Sequence, residues 1–181
     1  MNKETSEKLK KAVSDHFVER ARPIVRAGEE LMAAFDNTEA KIDGLVDNLK
    51  AAGFPVAIPE QTVDYEFRQF SDPKAEHGKH AELRRSFIVE VGTEKTQIKL
   101  VQTAYDNGTK LPPSETLTAY AKVGNEWVER SHDSSLASSY WVSNDNQFNA
   151  FGRDFAKFVT EIDQQERAEK ARRIICNTPK P

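Results

Sequence analysis

The spacing of the apolar residues changes twice along this chain, and that change limits the fold more than any other feature. Up to Gly53 apolar positions recur at helical spacing, from Val63 to Val128 they alternate with polar ones, and from Phe148 the helical period returns. A run of strands bracketed by helices belongs to the α+β class.

In the first third, Leu9, Val13, Phe17, Ile24, Leu31 and Phe35 mark an apolar stripe. Pro23 interrupts it, either kinking one long helix or opening a second at its first turn. Asp36-Asn37-Thr38 reads as a stop followed by a new cap. The next helix carries Ile42, Leu45, Val46 and Leu49 on one side, ends at Gly53 and is followed by Pro55. A helical hairpin over residues 1–55 is expected, with its helices packed antiparallel.

Period-two alternation then appears at Val63, Tyr65 and Phe67, at Phe87, Val89 and Val91, at Ile98 and Leu100, and from Leu117 to Val123. A polar loop from Ser71 to His80, a turn at Gly92–Lys95, Asp106-Asn107-Gly108 and Gly124-Asn125 separate these runs. The pattern predicts an antiparallel meander of four to six strands over 61–143. A long C-terminal helix over 146–175 follows, with Phe148, Phe151, Phe155, Phe158 and Ile162 in one stripe. Beyond Ile162 the helix is polar, and this end either projects into solvent or is ordered by a partner. At 181 residues the whole chain, 1–181, reads as one α+β domain with enough length to bury a core.

Composition restricts the function classes. The net charge of −3 gives no overall attraction to nucleic acid or to an anionic membrane surface. No run approaches the roughly 18 apolar residues a membrane helix needs, and the first residues lack the apolar stretch of a secretory signal. The single cysteine, Cys176, cannot form an internal disulfide, so a reducing, cytoplasmic setting is the expectation.

No motif for catalysis survives comparison with its plainer reading. Phosphate-cradling glycine patterns are absent, and no cofactor signature is present. Ser131-His132-Asp133-Ser134 holds the residue types of a nucleophilic triad, but neighbours on a strand point to opposite faces and cannot converge. The loop with Asp72, Glu76, His77, His80 and Glu82 mixes imidazoles and carboxylates, the donors a metal-dependent hydrolase would use. Polar hairpin loops carry the same residues for solvation, and His77 and His80 stand as weak metal candidates only. Two basic clusters, Arg20/Arg22/Arg26 and Arg167/Lys170/Arg172/Arg173, would serve a nucleic-acid-associated protein, but both are interleaved with acids that oppose a phosphate backbone.

Binding features are better marked. With a two-residue loop at Gly124-Asn125, Lys122 faces Trp127 and Tyr120 lies diagonally from it, while Leu117, Ala119, Ala121 and Val123 point the other way. Both faces then carry apolar groups, so either helices cover both or one presents an aromatic patch to a partner. The expected function is a non-enzymatic protein-binding module of the adaptor, chaperone or inhibitor type. It requires no cofactor. Tyr120, Lys122, Trp127, Arg167, Lys170 and Arg173 are the expected partner-binding residues, and the partner is another protein.

Overall fold

A computed structural model describes residues 3–18, 23–71, 79–106, 113–130, 136–137 and 139–177. Three helices, α1 (Lys3–Val18), α2 (Pro23–Ala51) and α3 (Asp145–Asn177), enclose one side of a sheet. The sheet strands are β1 (Val56–Ala57), β2 (Asp64–Ser71), β3 (Lys79–Val91), β4 (Thr96–Asp106), β5 (Ser114–Val123), β6 (Glu126–Glu129) and β7 (Ser139–Trp141). The α+β class and the long C-terminal helix are as the sequence pattern predicts.

The first two helices divide differently from the expectation. Pro23 opens α2 at its first turn, where a missing N–H costs nothing. The helix then runs through Asp36-Asn37-Thr38 without the expected stop. These three residues favour caps because their side chains compete for nearby backbone groups. Here tertiary packing outweighs that preference: Thr38 is buried and its side chain is hydrogen-bonded to Glu115 on β5. Leu31, Phe35, Ile42, Val46 and Leu49 stay on one buried stripe on both sides of this point. The helix ends where expected. Gly53 has φ 91°, its N–H donates to the Lys50 carbonyl, and the Phe54 N–H donates to the Leu49 carbonyl. That pair of bonds is a Schellman closure, which needs a residue comfortable at positive φ.

All strand pairings are antiparallel. The central strands are β3, β4 and β5. The outer side of β3 is shared by β1 and β2, and the outer side of β5 by β6 and β7. Seven strands exceed the expected four to six because β1 and β7 have two and three residues, too few to display a period. The strand β3 also starts earlier than expected, so His80 and Glu82 lie on it and not in the preceding loop.

On β3 the alternation is strict: Ala81, Leu83, Arg85, Phe87, Val89 and Val91 are buried, and the residues between them are partly exposed. The buried face receives all three helices in two apolar clusters. One gathers Leu9, Val13, Leu31, Phe35 and Leu83 from α1, α2 and the sheet. The larger one gathers Ile42 and Val46 of α2, Phe87 and Leu100 of the sheet, and Phe151, Phe155 and Phe158 of α3. Asn144 caps α3, its Oδ1 accepting from the Asn146 N–H at 2.8 Å.

Candidate functional site

Between the two apolar clusters lies a buried polar seam. Arg85 on β3 pairs in register with Tyr65 on one side and Gln102 on the other. Arg85 is 3% exposed and Gln102 is fully buried. The Arg85 Nη2 donates to Asp43 Oδ1 at 2.7 Å, and its Nε stands 3.5 Å from Glu39 Oε1. Glu39 also accepts from the Tyr65 hydroxyl. The guanidinium lies over the Phe87 ring, 4.3 Å from its centroid. Gln102 Nε2 donates to the Phe35 carbonyl at 3.0 Å. Burial, and then the bond to Glu39, push the Tyr65 hydroxyl far above its ordinary range, so it stays protonated.

Arg85, Asp43 and Tyr65 also form the inner wall of a cleft of about 600 Å³ between α2 and the β1–β2 segment, with Asp47, Lys50, Glu60 and Asp64 among its other lining residues. No serine, threonine, cysteine or histidine lines it, and of its two cations, Lys50 and Arg85, the latter is engaged by Asp43 and Glu39. Its chemistry is that of a charged, mostly acidic recess with an ion pair at its base.

Glu115 on β5 is a second buried acid, 4% exposed. Burial pushes its carboxyl up to about 7, against the opposing hydrogen bond from Thr38 and the charge of Lys41. Lys41 itself reaches Asp145 at the start of α3, 3.0 Å away.

A third region is the outer edge formed by β6 and β7. The Gly124-Asn125 loop is the two-residue turn: Val123 pairs with Glu126 and Lys122 with Trp127. Gly124 has φ 62° and Asn125 has no positive φ, the glycine-first pattern that suits the twist of a tight hairpin. Tyr120 pairs with Glu129, so Tyr120, Lys122 and Trp127 share one face, with the Lys122 ammonium 5.9 Å from the Trp127 ring centroid. Val123 and Val128 emerge on the opposite face, 63% and 46% exposed. On β7, Trp141 pairs with Thr116, lies on the Tyr120 side and is 59% exposed.

The other expected partner-binding residues sit apart, on the exposed last turns of α3. Arg167 is paired with Asp163 at 2.9 Å and Arg173 with Glu169 at 2.6 Å, while Lys170 is exposed. The structure therefore does not bring Arg167, Lys170 and Arg173 together with Tyr120 and Trp127 in one contact network.

His80 stands on β3 with its ring between Phe70 and Tyr105, 5.3 Å and 5.2 Å from their centroids. His77, Asp72, Glu76 and the Ser131–Ser134 segment lie outside the described residues. Among the described residues no group of three histidine, cysteine or acidic side chains is placed to hold a metal. Nor is any helix among them long and apolar enough to cross a membrane.

Sequence reasoning missed Arg85, Glu39, Asp43 and Glu115, and it missed the exposure of Val123, Val128 and Trp141. Arg85 did carry a signal, since extending the alternation of Phe87, Val89 and Val91 back two steps places it inward. Comparison with known proteins finds no matching family model, no similar curated protein and no similar solved structure.

Proposed function

We propose that this chain is a non-catalytic protein-binding module, a cytoplasmic adaptor, chaperone or inhibitor, that engages its partner along the β5–β6–β7 edge of its sheet. One observation carries the reading. Of the four large apolar side chains exposed among the described residues, three lie along this edge, Val123 and Val128 on one face and Trp141 on the other, and only Phe70 lies elsewhere. Isolated exposed apolar residues are ordinary, but three of four falling along a single sheet edge mark that edge as a contact surface. Trp141, Trp127 and Tyr120 add aromatic area of the kind that anchors protein interfaces, and Lys122 rims them. The pairing of Arg167 and Arg173 with acids on their own helix weighs against a phosphate-binding role for α3.

The test is partner capture with a V128E/W141E double variant. Both positions are exposed, so the variant is expected to keep the wild-type melting temperature and circular dichroism. The wild-type chain is expected to retain a stoichiometric partner and the variant to lose it. Equal retention by a folded variant rules the edge out as the docking surface.

A further inference from the structure

We propose that the free edge of β6 takes an extended segment of the partner as an added strand, and that this segment carries basic side chains beside apolar ones. The inference rests on the protein-binding reading above and names how the partner is held.

The backbone supplies the first half of the argument. Among the described residues β6 has one neighbour, β5. The Arg130 N–H donates to the Ala119 carbonyl at 3.0 Å. Bonded and non-bonded pairs alternate in an antiparallel ladder. The inward-bonded pairs are therefore Ala121 with Val128 and Val123 with Glu126, and Trp127 and Glu129 turn their N–H and C=O groups outward. These are the groups to which an incoming strand would bond.

The side chains supply the second half. An added strand sends alternate side chains to both faces of the sheet, so a surface suited to it is apolar on both faces at its edge. Here Val123 and Val128 emerge on one face and Trp127 with Tyr120 on the other. Each face also carries one acid, Glu126 beside Val128 and Glu129 beside Trp127, and neither acid has an ion-pair partner among the described residues. A strand with a cation on each face complements this edge. A second copy of the chain offers no such strand, because its own β6 carries the same two acids and no cation.

The probe is a short synthetic peptide of valine, isoleucine and threonine with two lysines at the spacing of Glu126 and Glu129. It is compared with a version bearing glutamates at those positions and with one methylated on alternate backbone amides. Titrated calorimetrically into the full chain, the lysine peptide is expected to bind about tenfold or more tightly than the glutamate peptide. The methylated peptide is expected not to bind. An E126K/E129K variant with an unchanged melting temperature is expected to reverse the charge preference. A lysine peptide that fails to bind, equal binding of the two charge forms, or indifference to amide methylation overturns the inference, as does a concentration-dependent dimer that shields the edge. Partner capture separates the two levels. Loss of the partner by V128E/W141E with full retention by E126K/E129K leaves the module and removes the basic strand, whereas retention by both removes both.

Discussion

The Glu166 carboxylate on α3 closes over Thr93 in the β3–β4 turn. Its Oε2 accepts from the Thr93 N–H at 2.7 Å and from the Thr93 hydroxyl at 2.8 Å, while Oε1 accepts from the Glu94 N–H at 3.2 Å. This contact lies beyond the last apolar anchor of α3, at Ile162, and ties the polar part of the helix to the sheet. The helical register alone suggests a pairing of Glu166 with Lys170, but the unbonded N–H groups of a tight turn are a better match for a carboxylate. Burial pushes the Glu166 carboxyl up, yet the bonds from Thr93 and Glu94 outweigh it and hold the carboxyl below its ordinary range.

Glu166→Ala is expected to cost about 1 kcal/mol of stability and to speed amide exchange through the last turns of α3. With its folded value depressed, Glu166 contributes stability at neutral pH that is lost as pH falls through that lowered value. Gly92→Ala attacks the same contact from the other side. Gly92 has φ 80°, and a Cβ there would collide with the Glu166 carboxylate. The expected cost is about 1–3 kcal/mol. Hydrogen exchange and thermal melts of both variants check this, and unchanged exchange in Glu166→Ala would mean that the clamp holds nothing.

The Arg85 seam predicts a coupling. Arg85→Met leaves Glu39, nearly as buried, without its cation, and the expected loss is about 3 kcal/mol. Adding Glu39→Met removes the stranded charge and is expected to recover part of the loss, because an apolar pair can replace a buried ion pair at little cost. A double-mutant cycle in urea reads the coupling directly. Strictly additive losses would show that Arg85 and Glu39 do not act as a pair.

How much of this is legible in the sequence depends on what each residue touches. The period-two runs around Phe87, Ile98 and Leu117 identify the central strands because each buries one side through the middle of the strand. The Gly124-Asn125 turn is legible because its chemistry is local. The break expected at Asp36-Asn37-Thr38 is absent because Thr38 finds its partner on β5, a contact no local rule anticipates. Glu166 reaches Thr93 across 73 positions, and Glu39 meets Tyr65 across 26, so both are set by the fold and not by neighbours in sequence. The docking edge was half legible. Register alone placed Tyr120, Lys122 and Trp127 together, but the exposure of Val123 and Val128 depends on where the helices stop covering their face of the sheet.

The hairpin that carries the proposed docking edge depends on one backbone conformation. Gly124 has φ 62°, which a β-carbon disfavours. Gly124→Ala is expected to cost about 1 kcal/mol and to raise hydrogen exchange in β6 before the central strands are affected. If partner capture weakens in this variant while the central strands keep their protection, the edge must be ordered to bind.

Glu115 predicts a pH dependence whose sign is fixed by the structure. Its carboxyl is buried against α2, with one oxygen lacking a hydrogen-bond partner, and burial pushes it up to about 7 from an ordinary 4.5. The folded chain therefore holds the proton more tightly than the unfolded chain. The resulting stability is fully present below about 4.5 and is lost as pH rises through about 7. Allowing for solvent screening, the contribution is about 1–3 kcal/mol. Glu115→Gln keeps the shape and removes the titration, so it is expected to be more stable than the wild-type chain at pH above about 7 and nearly equal to it at low pH. Thr38→Val and Lys41→Met each remove a group that favours the ionised form, and both are expected to move the transition to higher pH. Urea unfolding of the four proteins across this pH range tests the assignment. A wild-type-minus-Glu115→Gln difference that stays constant with pH would show that Glu115 does not change its charge there.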